Sequence, residues 1–164
     1  MPERKTIERA QEDARQGKSP STQAGEFVRE EIDHVREGKH GARSSKQAIA
    51  IGLSKARRAG VKLAPGKGKT SAKTKAQAGR DYRKGQSRAK SKPSRKRSRA
   101  ISAALKKEGR SAASPASLSR QAHSSARRRG PAARHGAALQ AVRTKGKATL
   151  SQAARKAART RRAA

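Results

Sequence analysis

The sequence lacks several residue types on which common functions depend. Its 164 residues include no cysteine, no tryptophan and no asparagine, and only one phenylalanine and one tyrosine. The absence of cysteine excludes disulfides and thiolate metal sites. Two aromatic residues provide little surface for stacking single-stranded bases. Since no apolar run approaches the ~20 residues that cross a bilayer, we expect no membrane partner and no secretory leader.

Large apolar side chains are scarce as well. Ile, Leu, Val and Phe together number 16, about 10% of the chain, whereas alanine alone contributes 33 residues. A highly charged chain below ~20% of these large residues is expected to be disordered, because ordering each residue costs ~1–2 kcal/mol of backbone entropy. The sequence also contains neither a phosphate-binding glycine loop nor the elements of a catalytic triad. We therefore predict no enzymatic activity, no cofactor and no small-molecule substrate.

The charge is large and unevenly distributed. Forty-four Lys and Arg residues oppose 11 Asp and Glu, so the net charge is +33. Residues 1–37 hold nine acids and seven bases (net −2), whereas residues 38–164 hold two acids and 37 bases (net +35). Because a polyanion relieves such self-repulsion, the split predicts a small head and a long arm that binds nucleic acid.

Residues 19–63 are predicted to form a helical hairpin. Its first helix has Ser19 as N-cap and Pro20 at the first helical position, and it ends at Gly38. The second opens with Ser44 and Gln47 at capping-box spacing and ends near Gly60; its apolar face is wider than the first helix can cover. Along the first helix, one apolar stripe contains Ala24, Phe27, Val28, Ile32 and Val35.

Three further segments complete the division of the chain. Residues 1–18 form a polar leading segment with helical character, which places Ile7, Ala10 and Ala14 on one side. Residues 64–99 have the composition of a basic flexible linker. Residues 100–164 form an Ala/Lys/Arg-rich basic arm with short helices, one of them running from Ser114-Pro115 to Gly130-Pro131. The predicted fold class is mostly α: a small helical hairpin followed by a long, largely disordered basic arm.

A family resemblance lies in the head. The stretch Val35-Arg36-Glu37-Gly38-Lys39-His40-Gly41, followed by Ser44-Ser45-Lys46-Gln47-Ala48-Ile49-Ala50-Ile51-Gly52-Leu53-Ser54-Lys55-Ala56, resembles an uncharacterised family of small basic bacterial proteins. Its members are often labelled DNA-binding or plasmid-stabilisation proteins. The chain departs from the family pattern at Arg36, Gly52 and Lys55, where Lys, Ala and Glu are usual. The tail is similar to histone-like and linker-histone tails. This resemblance implies a bacterial origin and a nucleoid location, and it supplies no chemistry.

Clusters of basic residues are the candidate nucleic-acid site. In the sequence-specific alternative, the second helix of the predicted hairpin reads bases through Lys46, Gln47, Ser54 and Arg57, although Gln47 is better explained as part of the cap. The candidate nucleic-acid-binding residues are Lys46, Lys55, Arg57, Arg58, Lys62, Lys92, Arg95, Lys96, Arg97, Arg99, Arg127, Arg128, Arg129, Arg155, Lys156, Arg159, Arg161 and Arg162.

Carboxylates and a histidine on the first hairpin helix have spacings that a metal site could use. We interpret them as an acidic face paired with the chain's own bases, and we predict no metal site. The other histidines, His40, His123 and His135, have no partner nearby in the sequence for a zinc site. The acidic face comprises Glu26, Glu30, Asp33, His34 and Glu37.

The sequence thus predicts a histone-like protein of the cytoplasm and nucleoid. It binds duplex DNA largely without sequence preference, and it neutralises and bridges DNA through the arm. Two alternatives stay open. One is a basic protein associated with RNA or the ribosome. The other is an adaptor, in which residues 19–63 bind a protein partner or a second copy while the arm tethers the complex to DNA.

Overall fold

The computed structural model describes residues 2–66, 70–87 and 94–162, and the described part is helical, without strands. The chain divides into two compact units, residues 1–119 and 120–164. The helices are α1 (Arg4–Arg15), α2 (Pro20–Arg36), α3 (Ser45–Arg58), α4 (Ala72–Gln86), α5 (Arg95–Lys106), a 3₁₀ turn (Ser111–Ala113), α6 (Pro115–Lys145) and α7 (Lys147–Arg162).

The predicted helical hairpin is confirmed as α2 and α3. The Ser19 hydroxyl accepts a hydrogen bond from the Thr22 amide, and the Ser44 hydroxyl accepts one from the Gln47 amide, so both expected N-caps form. Past the C-terminal end of α2, Gly38 has a φ of 77°, a left-handed value that favours glycine there.

The two hairpin helices pack closely because small residues line their contact. A Cβ placed on Gly52 of α3 would lie 2.7 Å from Val28 Cα of α2. Phe27 is 1% exposed, and it is the largest side chain of a core that is otherwise mostly alanine. This first core cluster comprises Ala10, Ala24, Phe27, Ala56 and Val61.

The leading segment forms helix α1, which packs against α2. Its buried face differs in part from the predicted one. Ala10 is buried as expected, but Ala14 is exposed, and Thr6 and Asp13 are buried instead. Hydrogen bonding explains the burial of Asp13, because Lys18 Nζ donates to its carboxylate at 2.7 Å.

The segment 64–99, expected to be a flexible linker, contains helix α4, which packs against α3. Polar contacts hold this helix in place of large apolar side chains. Asp81 is 3% exposed and accepts hydrogen bonds from Ser54 and Arg58 of α3. A Cβ on Gly85 would overlap the carbonyl oxygen of Arg57, so glycine permits a backbone contact there.

The chain after α5 docks on the loop between α2 and α3. The amide of Gly41 donates to the Leu105 carbonyl at 2.9 Å, and the Ser45 hydroxyl donates to the Ala112 carbonyl at 2.6 Å. Small residues again permit the approach, since a Cβ on Gly41 would overlap the Glu108 carbonyl oxygen. A second core cluster results, made of Val35, Ala42, Ala48, Ala112 and Ala113.

The expectation of a long, largely disordered arm is therefore wrong. The expectation follows from the small number of large apolar residues. That number does not include the packing that alanine and glycine allow between helices. Small side chains bring helices close enough for backbone and polar groups to contact one another, so few large residues are needed. Alanine also has the highest helix propensity, which favours helices in the arm.

The second unit is helical, and its side chains are largely exposed. Helix α6 is interrupted at Gly130 (φ 78°, ψ 169°), which precedes Pro131. This break confirms the predicted end of the segment that begins at Ser114-Pro115. Within the part of the chain that the structure describes, no helix is both long and apolar enough to cross a membrane.

Candidate nucleic-acid interface

Most acids of the chain are neutralised within the first unit. Every ion pair among the described residues lies between positions 3 and 108. The five acidic-face residues are among the paired groups: for example, Glu26 pairs with Arg9 and Arg29. The carboxylates that lie within 4 Å of a base or a histidine are Glu3, Glu12, Asp13, Glu26, Glu30, Glu31, Asp33, Glu37, Asp81 and Glu108.

The second unit has no such neutralisation. Glu108 is the last acid of the sequence, so residues 120–164 carry 13 Lys and Arg residues and no Asp or Glu. Subtracting these 13 from the 44 bases leaves 31 bases and all 11 acids in residues 1–119, a net charge of +20. Both units are therefore basic, but only in the second are the cations without any carboxylate of their own.

Helix α7 carries five of the predicted binding residues, all exposed. Arg155, Arg159 and Arg162 follow at spacings of four and three, which places them on one face of the helix. Like charges at such spacings destabilise an isolated helix by ~0.2–0.5 kcal/mol per pair, and phosphates beside this face relieve the repulsion. The remaining two are Lys156 and Arg161.

Two further exposed clusters lie on α6 and α5. Arg127, Arg128 and Arg129 directly precede the interruption at Gly130, where cations interact favourably with the end of the helix dipole. On α5 the exposed cluster consists of Arg95, Lys96, Arg97 and Arg99. Of the other candidates, Lys46 and Lys62 are exposed, and Lys92 lies outside the described residues.

Three of the predicted binding residues instead have partners inside the fold. Lys55 Nζ lies 3.2 Å from Glu30 Oε1 and 2.6 Å from Glu31 Oε2, and its side chain is only 21% exposed. The ammonium group of Lys55 therefore offsets two buried carboxylates, and its contact with phosphate stays a prediction.

Arg57 and Arg58 are used inside the fold as well. Arg58 Nε donates to Asp81 Oδ1 at 2.7 Å, and Arg57 Nε donates to the Leu63 carbonyl at 3.1 Å. Burial lowers the pKa of Arg57, although the negative charge of Asp81 opposes the shift. These contacts occupy the Nε atom of each guanidinium, and the Arg58 side chain stays 50% exposed, so phosphate binding by either residue stays a prediction.

The same contacts bear on the alternative in which α3 reads bases. Ser54 donates its hydroxyl hydrogen to Asp81 Oδ2 at 2.8 Å. Gln47 Oε1 accepts the Arg43 amide hydrogen at 2.8 Å, which agrees with its interpretation as a capping residue. Of the four side chains proposed to read bases, only that of Lys46 is left without such an internal role.

The structure brings together three potential metal ligands that the sequence analysis did not connect. One donor atom each from Glu31, His34 and His40 lie within 4.8 Å of one another. The sequence pattern gives no reason to group Glu31 with the acidic face, because it lies within the hydrophobic stripe of α2, between the positions of Phe27 and Ala24 around the helix. Two glutamates next to each other in an amphipathic helix are a usable signal, since one of them must then point towards the core.

Comparison with known proteins adds one match. Residues 15–67 are similar to a family of unknown function, DUF6496. The match spans 53 of the 164 residues, about a third of the chain, and it includes α2 and α3 but not α5, α6 or α7. No curated protein and no solved structure matches the chain.

Proposed function

We propose that the protein is a histone-like DNA-binding protein of the bacterial nucleoid. Its basic helices neutralise duplex DNA with little sequence preference. One observation carries this proposal: the exposed bases of residues 120–162 have no carboxylate in their own unit, whereas the acids of the first unit are nearly all paired. Uncompensated cations release the counterions of DNA when they contact its phosphates, and this release drives binding.

The distribution of charge also favours bridging. The first unit carries a net charge of +20 and the second +13, so each is basic enough to contact a duplex by itself. Helix α7 extends over ~24 Å at 1.5 Å per residue, a length over which a duplex presents ~14 phosphates. The six basic residues of α7 are therefore fewer than the phosphates within reach, so each of them can contact one.

The burial of the two aromatic residues favours duplex DNA over single strands as the ligand. Recognition of single strands relies on exposed aromatic rings that stack on bases. Phe27 is 1% exposed inside the first core, as the sequence predicted, and Tyr82 on α4 is half-buried. Contacts with the phosphate backbone do not require such rings.

The adaptor alternative has less support than DNA binding. It depends on an apolar face of α3 that is too wide for one helix to cover. In the structure α3 contacts α2, α4 and the 3₁₀ turn, and Ala48, Gly52 and Ala56 are buried. Contacts within the chain therefore cover this apolar face, and a separate protein partner is not needed to explain its width.

Salt-titrated binding tests the proposal. The full chain is titrated with two duplexes of unrelated sequence, a duplex RNA and a single-stranded RNA, from low to high salt. We expect equal affinities for the two DNA duplexes, and a logarithm of affinity that falls linearly with the logarithm of salt by ~0.9 per phosphate neutralised. Preference for one duplex contradicts non-specific binding, and tighter binding to either RNA favours the RNA-associated alternative.

A further inference from the structure

We propose that Glu31, His34 and His40 bind one divalent transition-metal ion of the zinc class, because the fold places a donor atom of each within 4.8 Å of the other two. The proposed metal site joins the middle and end of α2 to the loop that leads to α3. Two imidazoles and one carboxylate are ligands that suit Zn²⁺, which such side chains bind with water completing the shell.

Glu31 is the most unusual member of this cluster. Its side chain is fully buried, with 0% exposure. His40 Nε2 lies 3.3 Å from one carboxylate oxygen, and Lys55 Nζ lies 2.6 Å from the other. Neither approach has the angles of a hydrogen bond, so both oxygens lack a hydrogen-bond partner. The ammonium group of Lys55 offsets the charge of this buried carboxylate from the side of Oε2, and a cation bound at Oε1 would give that oxygen the partner it lacks.

The hydrogen bonds of the two histidines orient them as metal ligands. His40 Nδ1 lies 3.0 Å from the Gly41 carbonyl oxygen, which can only accept, so Nδ1 carries hydrogen and Nε2 faces Glu31. His34 Nε2 lies 2.8 Å from Glu3 Oε1 and donates to that carboxylate, so coordination in the proposed site would use the other ring nitrogen, Nδ1. Carbonyl and carboxylate partners on the far nitrogen are the usual outer shell of metal-bound histidines.

The separation of two of the donors already fits a metal. Ligands ~2.0–2.1 Å from a tetrahedral Zn²⁺ are ~3.3 Å from each other. Glu31 Oε1 and His40 Nε2 are 3.3 Å apart. The donor atom of His34 lies within 4.8 Å of both, and the His34 side chain borders a cleft of about 120 Å³ that residues of α1 and α2 line.

The charges around the cluster suit a divalent cation. Lys55 contacts Glu31 at Oε2, whereas Oε1 is the oxygen beside His40, and Lys55 also offsets Glu30. Lys39 contacts both Glu3 and Glu37. Four carboxylates (Glu3, Glu30, Glu31 and Glu37) thus lie beside these two ammonium groups, so carboxylates outnumber the lysines that contact them.

A metal here would stabilise a part of the fold whose core contains few large apolar residues. His40 is adjacent to Gly41, whose amide donates to the Leu105 carbonyl where the chain after α5 docks. The neighbouring core cluster consists of one valine and four alanines. Small cores of this kind are commonly supplemented by a structural metal.

Metal titration of the full chain tests the proposed site. Protein freed of metal by a chelator is titrated with ZnCl₂ by calorimetry and with CoCl₂ by visible absorption. We expect one equivalent of each ion to bind, with the absorption of tetrahedral Co²⁺. The variant H34A/H40A is expected to lose affinity by more than ~100-fold, beyond the loss of an outer-shell partner. The matched control H123A/H135A removes the other two histidines, both exposed, and should bind as the wild type does.

A second readout decides the question if H34A/H40A fails to fold. One equivalent of ZnCl₂ added to the wild type should shift the imidazole NMR signals of His34 and His40 and leave those of His123 and His135 unchanged. The proposal is overturned if H34A/H40A is folded and binds with wild-type affinity, if His34 and His40 do not respond, or if binding needs His123 or His135. Affinity for DNA is measured separately, so failure of the metal site leaves the proposed function standing.

Discussion

Asp81 of α4 accepts a hydrogen bond from Arg58 Nε of α3 at 2.7 Å, and this pair joins a basic segment to the helical hairpin. Ser54 and Gln77 donate to the same carboxylate at 2.8 and 3.1 Å. Asp81 is the lone acid of residues 64–99, and its side chain is 4% exposed. The position of α4 therefore depends on one buried, fully hydrogen-bonded carboxylate.

Replacing this carboxylate should loosen α4. We expect Asp81→Asn to lower the free energy of unfolding of the first unit by about 1–3 kcal/mol, because three donors lose a charged acceptor. Urea unfolding followed by circular dichroism measures the loss, and fluorescence of Tyr82, the one tyrosine and a residue of α4, reports the helix directly. The control Asp33→Asn alters an exposed pair with Arg36 and should cost less than about 0.5 kcal/mol. Equal effects of the two substitutions would contradict this role of Asp81.

The same carboxylate predicts how stability depends on pH. Burial by itself would raise the pKa of Asp81, but hydrogen bonds from Ser54, Arg58 and Gln77 and the charge of Arg58 outweigh it, so the pKa is lowered. A lowered pKa stabilises the fold above the unfolded value of ~3.9, and this contribution is lost as pH falls through the folded value. The stability difference between wild type and Asp81→Asn should therefore be full above about pH 5 and shrink below about pH 4. If the stability difference stays constant down to the lowest pH at which both proteins fold, the charge of Asp81 is not what stabilises α4.

Two glycines of the hairpin should respond in opposite directions to alanine. A Cβ on Gly52 would lie 2.7 Å from Val28 Cα and 2.9 Å from the Phe27 carbonyl oxygen, so Gly52→Ala must push α2 and α3 apart. We expect a net loss of about 1–3 kcal/mol. Gly25 of α2 has nothing within 4 Å of its Cβ position, so Gly25→Ala should gain up to about 1 kcal/mol of helix propensity. Thermal melting of both variants checks the signs, and a stabilised Gly52→Ala would refute the close packing.

A second pair of glycine substitutions tests the docking of the segment after α5. A Cβ on Gly41 would overlap the Glu108 carbonyl oxygen, whereas the Cβ position of Gly109 has no neighbour within 4 Å. Gly41→Ala should detach the segment, and the amide of Ala42, which donates to the Gly109 carbonyl at 3.1 Å, should exchange faster with deuterium. Gly109→Ala should leave that exchange rate close to wild type. If both variants exchange like the wild type, the segment is not held there.

Local signals predicted the hairpin well, because each of its limits is marked by a residue with a specific backbone role. Ser19, Gly38 and Ser44 cap the two helices as their residue types suggest. Gly130 and Pro131 mark the interruption of α6 in the same way. Such signals act within a few residues, so a single sequence displays them.

Local sequence signals do not predict the tertiary contacts. Nothing in the composition of residues 64–99 indicates that Asp81 meets Arg58, and nothing near Gly41 indicates that Leu105 will accept its amide hydrogen. Alanine and glycine give no periodic apolar signal, although here they determine how closely helices approach. The clearest clue was an isolated acid in a strongly basic stretch, since a lone carboxylate among bases is well placed to be buried with one of them.

The central claim is that the position of the unpaired bases, rather than the net charge, determines DNA affinity. Two full-length variants with the same loss of five charges test it by salt-titrated binding to one duplex. The first replaces Arg155, Lys156, Arg159, Arg161 and Arg162 of α7 by glutamine. The second replaces five exposed bases in and beside α1 and α2 that each have a carboxylate within 4 Å, namely Arg9, Arg15, Lys18, Arg29 and Arg36, by glutamine. We predict that the α7 variant loses up to ~4.5 from the slope of log affinity against log salt, and that the α1/α2 variant keeps a slope close to wild type. Equal losses in the two variants, or wild-type binding by the α7 variant, would contradict the account.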